Sequence, residues 1–148
     1  MIRRNKPIKR NKPPKKVKTG TLKNKLDLAF KAMIRERDRD LGCISCRTGA
    51  VEQAGHLVHA GMSVRLATRW HPQNVNGQCV ACNHYKSGNL LEYALNVDEK
   101  FGAGTAARMR ELSRKSWKPD REALEKLIEA AKLGHQAYQE IWEFYGAE

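Results

Sequence analysis

The sequence predicts an α+β protein: a small cysteine-anchored core of short strands, flanked by helices and preceded by a disordered basic N-terminal arm. Three observations predict it. Four cysteines fall as two close pairs, Cys43-Ile44-Ser45-Cys46 and Cys79-Val80-Ala81-Cys82, with 32 residues between them. Apolar residues recur at three- and four-residue steps before the first pair and through most of the chain after the second. The net charge of +12 sits at one end: residues 1–25 hold eleven Lys or Arg and no acid, whereas the remainder holds 17 basic and 16 acidic residues.

Residues 1–20 carry three of the five prolines and read as an extended, disordered arm. Its Arg3, Arg4, Lys6, Lys9, Arg10, Lys12, Lys15, Lys16 and Lys18 suit a polyanion, because each neutralised phosphate releases condensed counterions. Nucleic acid is the expected partner. A membrane surface is not, because the arm has almost no apolar or aromatic residues to insert. A helix is expected over 21–41, with Thr21 as a candidate N-cap and Gly42 as its stop. Leu22, Leu26, Phe30 and Met33 fall near helical spacing, while the alternating run Arg35 to Asp40 is expected to be solvated or to touch phosphate.

Residues 42–90 form the predicted core. Cys43–Cys46 fits a tight knuckle, Thr48-Gly49 a turn, and Val51 to Val58 a short strand pair carrying His56. Residues 63–78, with Pro72, Asn74, Asn76 and Gly77, read as a long structured loop, and Cys79 to Tyr85 as the opening of a helix. Residues 91–148 form a helical extension. Helices are expected over Leu90 to Phe101, over Thr105 to Ser116, and from an N-cap at Asp120 to the C-terminus, with a kink or break at Gly134. Leu124, Leu127, Ile128, Ala131, Tyr138, Ile141, Trp142 and Tyr145 form a stripe that reads as core packing. The extension serves either as a cap on the core or as a homodimer interface.

Two disulfides would suit a secreted chain, but no apolar signal run follows Met1-Ile2-Arg3-Arg4. No stretch approaches the ~18 apolar residues of a membrane span. An intracellular location is therefore expected, where thiols stay reduced and paired Cys-x-x-Cys motifs bind metal. Zinc prefers tetrahedral thiolates, and Cys43, Cys46, Cys79 and Cys82 would close a structural site with no open position.

Chemistry must then come from the inserted segment, with Gln53-Ala54-Gly55-His56, His59, His71 and Asn74. Singly, each has an ordinary explanation in packing or turn formation. The shared metal hub, however, forces the strand carrying His56 against the helix that begins at Cys79 and bears Asn83. An imidazole opposite an amide oxygen suits a water and a divalent ion for phosphodiester hydrolysis.

Cys43-x-x-Cys46, Gly55-His56, Asn74, Cys79-x-x-Cys82-Asn83 and Lys86 together resemble the HNH endonuclease motif, the ββα-metal (His-Me finger) fold built on a treble-clef zinc site. The run Ile34 to Leu41 before Cys43, with Ala54-Gly55-His56 and Gln78 to Asn83 leading to Lys86-Ser87-Gly88-Asn89, is similar more closely to the phage NinG (Rap) recombination proteins. The resemblance implies that His56 is the general base and that Asn74 orients the loop and the His56 ring. It implies that Asn83 helps bind a magnesium or manganese ion. Lys86 would touch phosphate or form a salt bridge.

One departure stands out. Many HNH enzymes place an acid just before the histidine or three residues before it, where this chain has Gly55 and Gln53. Gln53 would be a weak neutral ligand, with Glu52, His59 or substrate phosphate completing the shell. The expected function is a metal-dependent DNA endonuclease of phage-type recombination, acting on branched DNA such as Holliday junctions. The alternative is a non-catalytic zinc module that binds DNA or serves recombination as an accessory.

Overall fold

A computed structural model describes residues 16–59 and 66–147 of the chain. Of the basic arm, Lys16 and Lys18 are exposed there, and Arg3, Arg4, Lys6, Lys9, Arg10, Lys12 and Lys15 lie outside the described residues. The elements run α1 (Thr19–Asp38), β1 (Gln53–His56), α2 (Leu66–Arg69), β2 (Val75–Gln78), a π-helical turn (Ala81–Tyr85), α3 (Leu90–Phe101), α4 (Thr105–Leu112), α5 (Arg121–Leu133) and α6 (His135–Tyr145). The fold is helix-rich α+β, with a single two-stranded sheet among the described residues.

Helix α1 buries Leu22, Leu26, Phe30, Met33 and Ile34 on one face. Leu124, Leu127, Ile128 and Ala131 of α5 and Tyr138 and Trp142 of α6 meet that face, as their helical spacing requires. Each large aliphatic or phenyl side chain here contributes about 1.5–3 kcal/mol by leaving water, so this layer is a principal apolar anchor of the chain. Asp120 caps α5 as expected, its carboxylate accepting the amide of Ala123 at 2.8 Å. The expected long C-terminal helix is two helices. They break at Gly134, whose φ of 122° a side-chain-bearing residue rarely adopts.

Helix α1 begins at Thr19 rather than Thr21 and stops at Asp38 rather than Leu41. At the stop, the Asp38 carboxylate turns inward to accept the amide of Gly77 at 2.7 Å. The charged run there is thus only partly solvated. Asp38 is 2% exposed and pairs with Arg37 at 2.6 Å and Lys100 at 2.8 Å. Burial alone would raise the Asp38 carboxyl, but the hydrogen bonds and charges of Arg37 and Lys100 hold it below its ordinary value. Both cations also donate to Asn76 Oδ1, at 2.8 and 3.0 Å, so one ionic cluster ties α1, β2 and α3 together.

The expected strand pair within Val51 to Val58 is instead one strand, β1. Its partner is β2, from the stretch expected to be a loop. The pairing is antiparallel, with Gln53 opposite Gln78 and His56 opposite Val75. Asn76 and Gly77 are poor strand formers, and burial decides against propensity: all four β2 residues are buried. The helix expected from Cys79 is a π-helical turn, and α4 ends at Leu112 rather than near Ser116. A second apolar cluster joins Leu57 and Val58, just after β1, to Ala67 of α2, Tyr93 and Val97 of α3, and Ala106, Met109 and Leu112 of α4. The region around β1 is therefore clamped by α1 on one side and α3 on the other. No helix among the described residues is long and apolar enough to cross a membrane.

Candidate functional site

The four cysteines converge as their spacing predicts. Their Sγ atoms all lie within 4.8 Å of one another, and Cys46 and Cys79 are 3.8 Å apart. A tetrahedron with Zn–S of ~2.3 Å has edges of ~3.8 Å, so the four thiols fit a structural metal such as zinc. Backbone and hydroxyl donors prepare the thiolates. The Thr48 hydroxyl and the Gly49 amide both donate to Cys46 Sγ, which lowers that thiol's pKa, the Thr48 hydroxyl first. Burial raises the Cys82 thiol, so its thiolate needs a cation beside it.

This hub places β1 beside the π-helical turn. His56, at the end of β1, is held by its Nε2, which lies 2.9 Å from the Arg69 carbonyl oxygen. A carbonyl only accepts, so Nε2 carries the proton and Nδ1 of the neutral ring carries the lone pair. Burial lowers the His56 pKa. Lys31 and His59 lower it further, against the opposing pull of the Arg69 carbonyl and Asp27. The ring is thus kept neutral at neutral pH, as a base must be.

Asn83, in the π-helical turn, faces the strand. Its Nδ2 donates to Gln53 Oε1 at 2.6 Å, which fixes the amide and leaves Oδ1 turned toward Gly55. A Cβ at residue 55 would approach Asn83 Oδ1 to 2.7 Å and collide with Gln78 Oε1, so only glycine leaves room for both oxygens. Gln78 Oε1 is buried without a hydrogen-bond partner. Asn83 Oδ1, beside this glycine, is a hard amide oxygen of the type magnesium and manganese take as ligand. Gln53, expected as a weak ligand, spends its oxygen on orienting Asn83. His56 and Asn83 line one cavity of about 510 Å³, together with Lys31, Gly55, His59 and Ser87.

Asn74 stands behind this cavity. Its Oδ1 accepts the Val58 amide at 2.9 Å, and its Nδ2 donates to the Val58 and Thr68 carbonyls at 3.1 and 3.0 Å. It therefore pins the end of α2, one residue before the carbonyl that holds His56, and acts on the ring through the backbone. Glu52 caps Val80 at 3.0 Å. His71 lies away from the cavity, packed edge-on against Trp142 at 5.3 Å. Lys86 is exposed just past the π-helical turn.

Several positioning groups escape a reading of motifs. Tyr93 donates to the Gly55 carbonyl at 2.7 Å, and Asp27 accepts from Arg69 and, at 2.8 Å, from Trp70. Both belong to helices whose periodicity reports only their apolar face. Lys31, a cation of the cavity wall, is likewise one of three lysines on α1.

Sequence comparison bears on the same chain. The model of the family described as "NinG: Bacteriophage Lambda NinG protein" matches residues 2–141. "Protein ninG" of Salmonella phage P22 is 46% identical over 76 residues, covering 50% of this chain and 36% of the relative. "Protein ninG" of Escherichia phage lambda is 45% identical over 76 residues, again 50% of this chain and 36% of the relative. That of Escherichia phage 933W is 45% identical over 76 residues, covering 50% and 37%. The matched stretch thus spans little more than a third of the length of these relatives. No solved structure matches the chain.

Proposed function

The chain belongs to the NinG family, and from that premise we propose that it is an HNH-type, metal-dependent endonuclease that hydrolyses DNA phosphodiester bonds during phage recombination. The observation that carries this reading is the meeting of His56 and Asn83 in one cavity, with His56 neutral and tethered by Nε2. His56 Nδ1 accepts the proton of the attacking water. Asn83 Oδ1 offers an oxygen to a magnesium or manganese ion, which when bound supplies positive charge to the scissile phosphate and the leaving oxygen. Lys31 in the cavity wall and exposed Lys86 neutralise phosphate charge, and the basic arm holds neighbouring DNA. Asn74 is a positioning residue, acting through the backbone of α2. Zinc in the cysteine hub keeps β1 and the π-helical turn in register.

Branched DNA such as a Holliday junction is the substrate this reading favours, with a homodimer presenting two such sites. The test is cleavage of a four-way junction and of linear duplex with magnesium or manganese. Wild type should cleave, and His56→Ala should bind the DNA without cleaving it. DNA binding without cleavage by wild type, across both ions and both substrates, would replace the nuclease with a zinc-containing DNA-binding module.

A further inference from the structure

Helix α4 and the turn after it carry cations that neither the thiol hub nor the His56 cavity uses. Ala106, Met109 and Leu112 bury one face of α4 in the second apolar cluster. Arg110 and Arg114 are exposed on another. Four residues apart, they share one stripe, because the C-cap Ser113 keeps a helical backbone, with φ −63° and ψ −16°.

The two arginines open onto a cavity of about 620 Å³ that Leu57, His59 and Leu90 also line. The same three residues line the cavity that holds His56 and Asn83. The two cavities therefore adjoin as one trough, with Lys31 and His56 at one end and Arg110 and Arg114 at the other. No acid lines it among the described residues, although the chain beyond residue 25 holds 16 acids against 17 bases. Its apolar Leu57 and Leu90 suit the sugar and base faces of a nucleotide strand, and the cations at its two ends suit phosphates.

Two ordinary roles compete for these arginines. Cations near a helix C-terminus favour its dipole, and many exposed arginines are simply solvated. Neither role accounts for both standing on the same trough with their charge still available. Arg110 forms no ion pair among the described residues. Arg114 pairs with Glu111 at 3.2 Å, but the two side chains are 76% and 71% exposed, and so open a pair yields readily to a phosphate. A guanidinium also matches phosphate geometry with two donors at once.

We propose that Arg110 and Arg114 bind backbone phosphates of the DNA strand that occupies the His56 cavity, on the α4 side of the phosphate seated there. The helical extension is then part of the DNA-binding surface and not only a cap on the core. That the far end of the trough holds the scissile phosphate rests on the nuclease reading, but the arginine contacts do not.

Binding of a labelled four-way junction to the zinc-loaded full chain, followed by fluorescence anisotropy across a salt series, tests the pair without turnover. Arg110→Gln/Arg114→Gln should bind at least about tenfold more weakly than wild type at ~0.1 M salt. The slope of log K against log salt should shrink by about two, since each phosphate contact contributes ~0.9. Lys126→Gln/Lys132→Gln removes the same charge from α5, outside the trough, and should stay within about twofold of wild type. Should the double arginine variant lose its cooperative melt, Arg110→Gln alone takes its place, with a slope smaller by about one. A folded arginine variant that binds as the α5 control does, or wild type that binds no DNA at low salt, overturns the proposal. Cleavage assays separate the two readings. Binding that depends on Arg110 and Arg114 without any cleavage by wild type leaves the trough standing and removes the nuclease. Cleavage by wild type with binding indifferent to both arginines does the reverse.

Discussion

His56 Nε2 donates to the carbonyl of Arg69 at 2.9 Å, and that one bond decides which ring nitrogen can act as a base. The carbonyl is itself held in place. Arg69 and Trp70 are both anchored by Asp27 of α1, and Thr68 is anchored by Asn74. The orientation of the histidine is therefore a property of α1 and α2 as much as of its own strand.

On the proposed nuclease reading, the acid limb of the cleavage rate should follow from the surroundings of this ring. Burial lowers its pKa below the ordinary value of 6.5, with Lys31 adding to the effect. The base form therefore persists as pH falls through 6.5, and kcat/KM should decline only at lower pH. Lys31→Gln removes a positive charge that disfavours the imidazolium, so the folded pKa should rise and the acid limb move to higher pH. A pH–rate profile of the two proteins checks the direction, and a Lys31→Gln limb that stays put or moves down contradicts it.

The parts of this site differ in how legible they are in sequence, for physical reasons. Cys43, Cys46, Cys79 and Cys82 announce themselves because metal chemistry demands a residue type at a fixed spacing, and the helical stripes because packing demands a period. Strand β2 carries neither signal. Its Val75-Asn76-Gly77-Gln78 is buried, so alternation disappears, and its amides serve Tyr93, Arg37, Lys100 and Ser45 rather than solvent. Asp38 and Arg37 look like members of a solvated charge run for a similar reason: the partners of Asp38, Lys100 and Gly77, and those of Arg37, Pro72, Val75 and Asn76, lie tens of residues away. His71 shows the converse, a histidine in the right segment whose side chain belongs to the Trp142 packing.

Asn74→Ala separates positioning from framework. The substitution leaves the Val58 amide and the Val58 and Thr68 carbonyls without their buried partner, which should destabilise the fold by about 3 kcal/mol. Zinc content should be retained, because Asn74 touches none of the four thiols. If the chain is the proposed nuclease, cleavage should fall well beyond what the unfolded fraction explains, since the α2 carbonyl that holds His56 is released. Urea unfolding, zinc quantification and single-turnover cleavage check the three parts. A variant that is destabilised yet cleaves normally per folded molecule would show that Asn74 has no hold on the ring.

Zinc removal should act on the whole core rather than on one loop. The hub receives Cys43 and Cys46 from the knuckle after α1, Cys79 from the residue after β2, and Cys82 from the π-helical turn. The apolar contacts of this region are otherwise supplied by small elements, so metal binding supplies a share of its folding free energy. Cys79→Ser should lose zinc and the cooperative melt of the core, while the α1–α5–α6 layer, with its own buried face, keeps residual helicity. The same loss should appear in wild type on acidification, because protons compete with the metal for thiolates. Zinc release followed by a chromogenic chelator, beside the circular dichroism melt, measures both. Full zinc content and an unchanged melt in Cys79→Ser would remove that thiol from the metal site and, with it, the account of how β1 and Asn83 are held together.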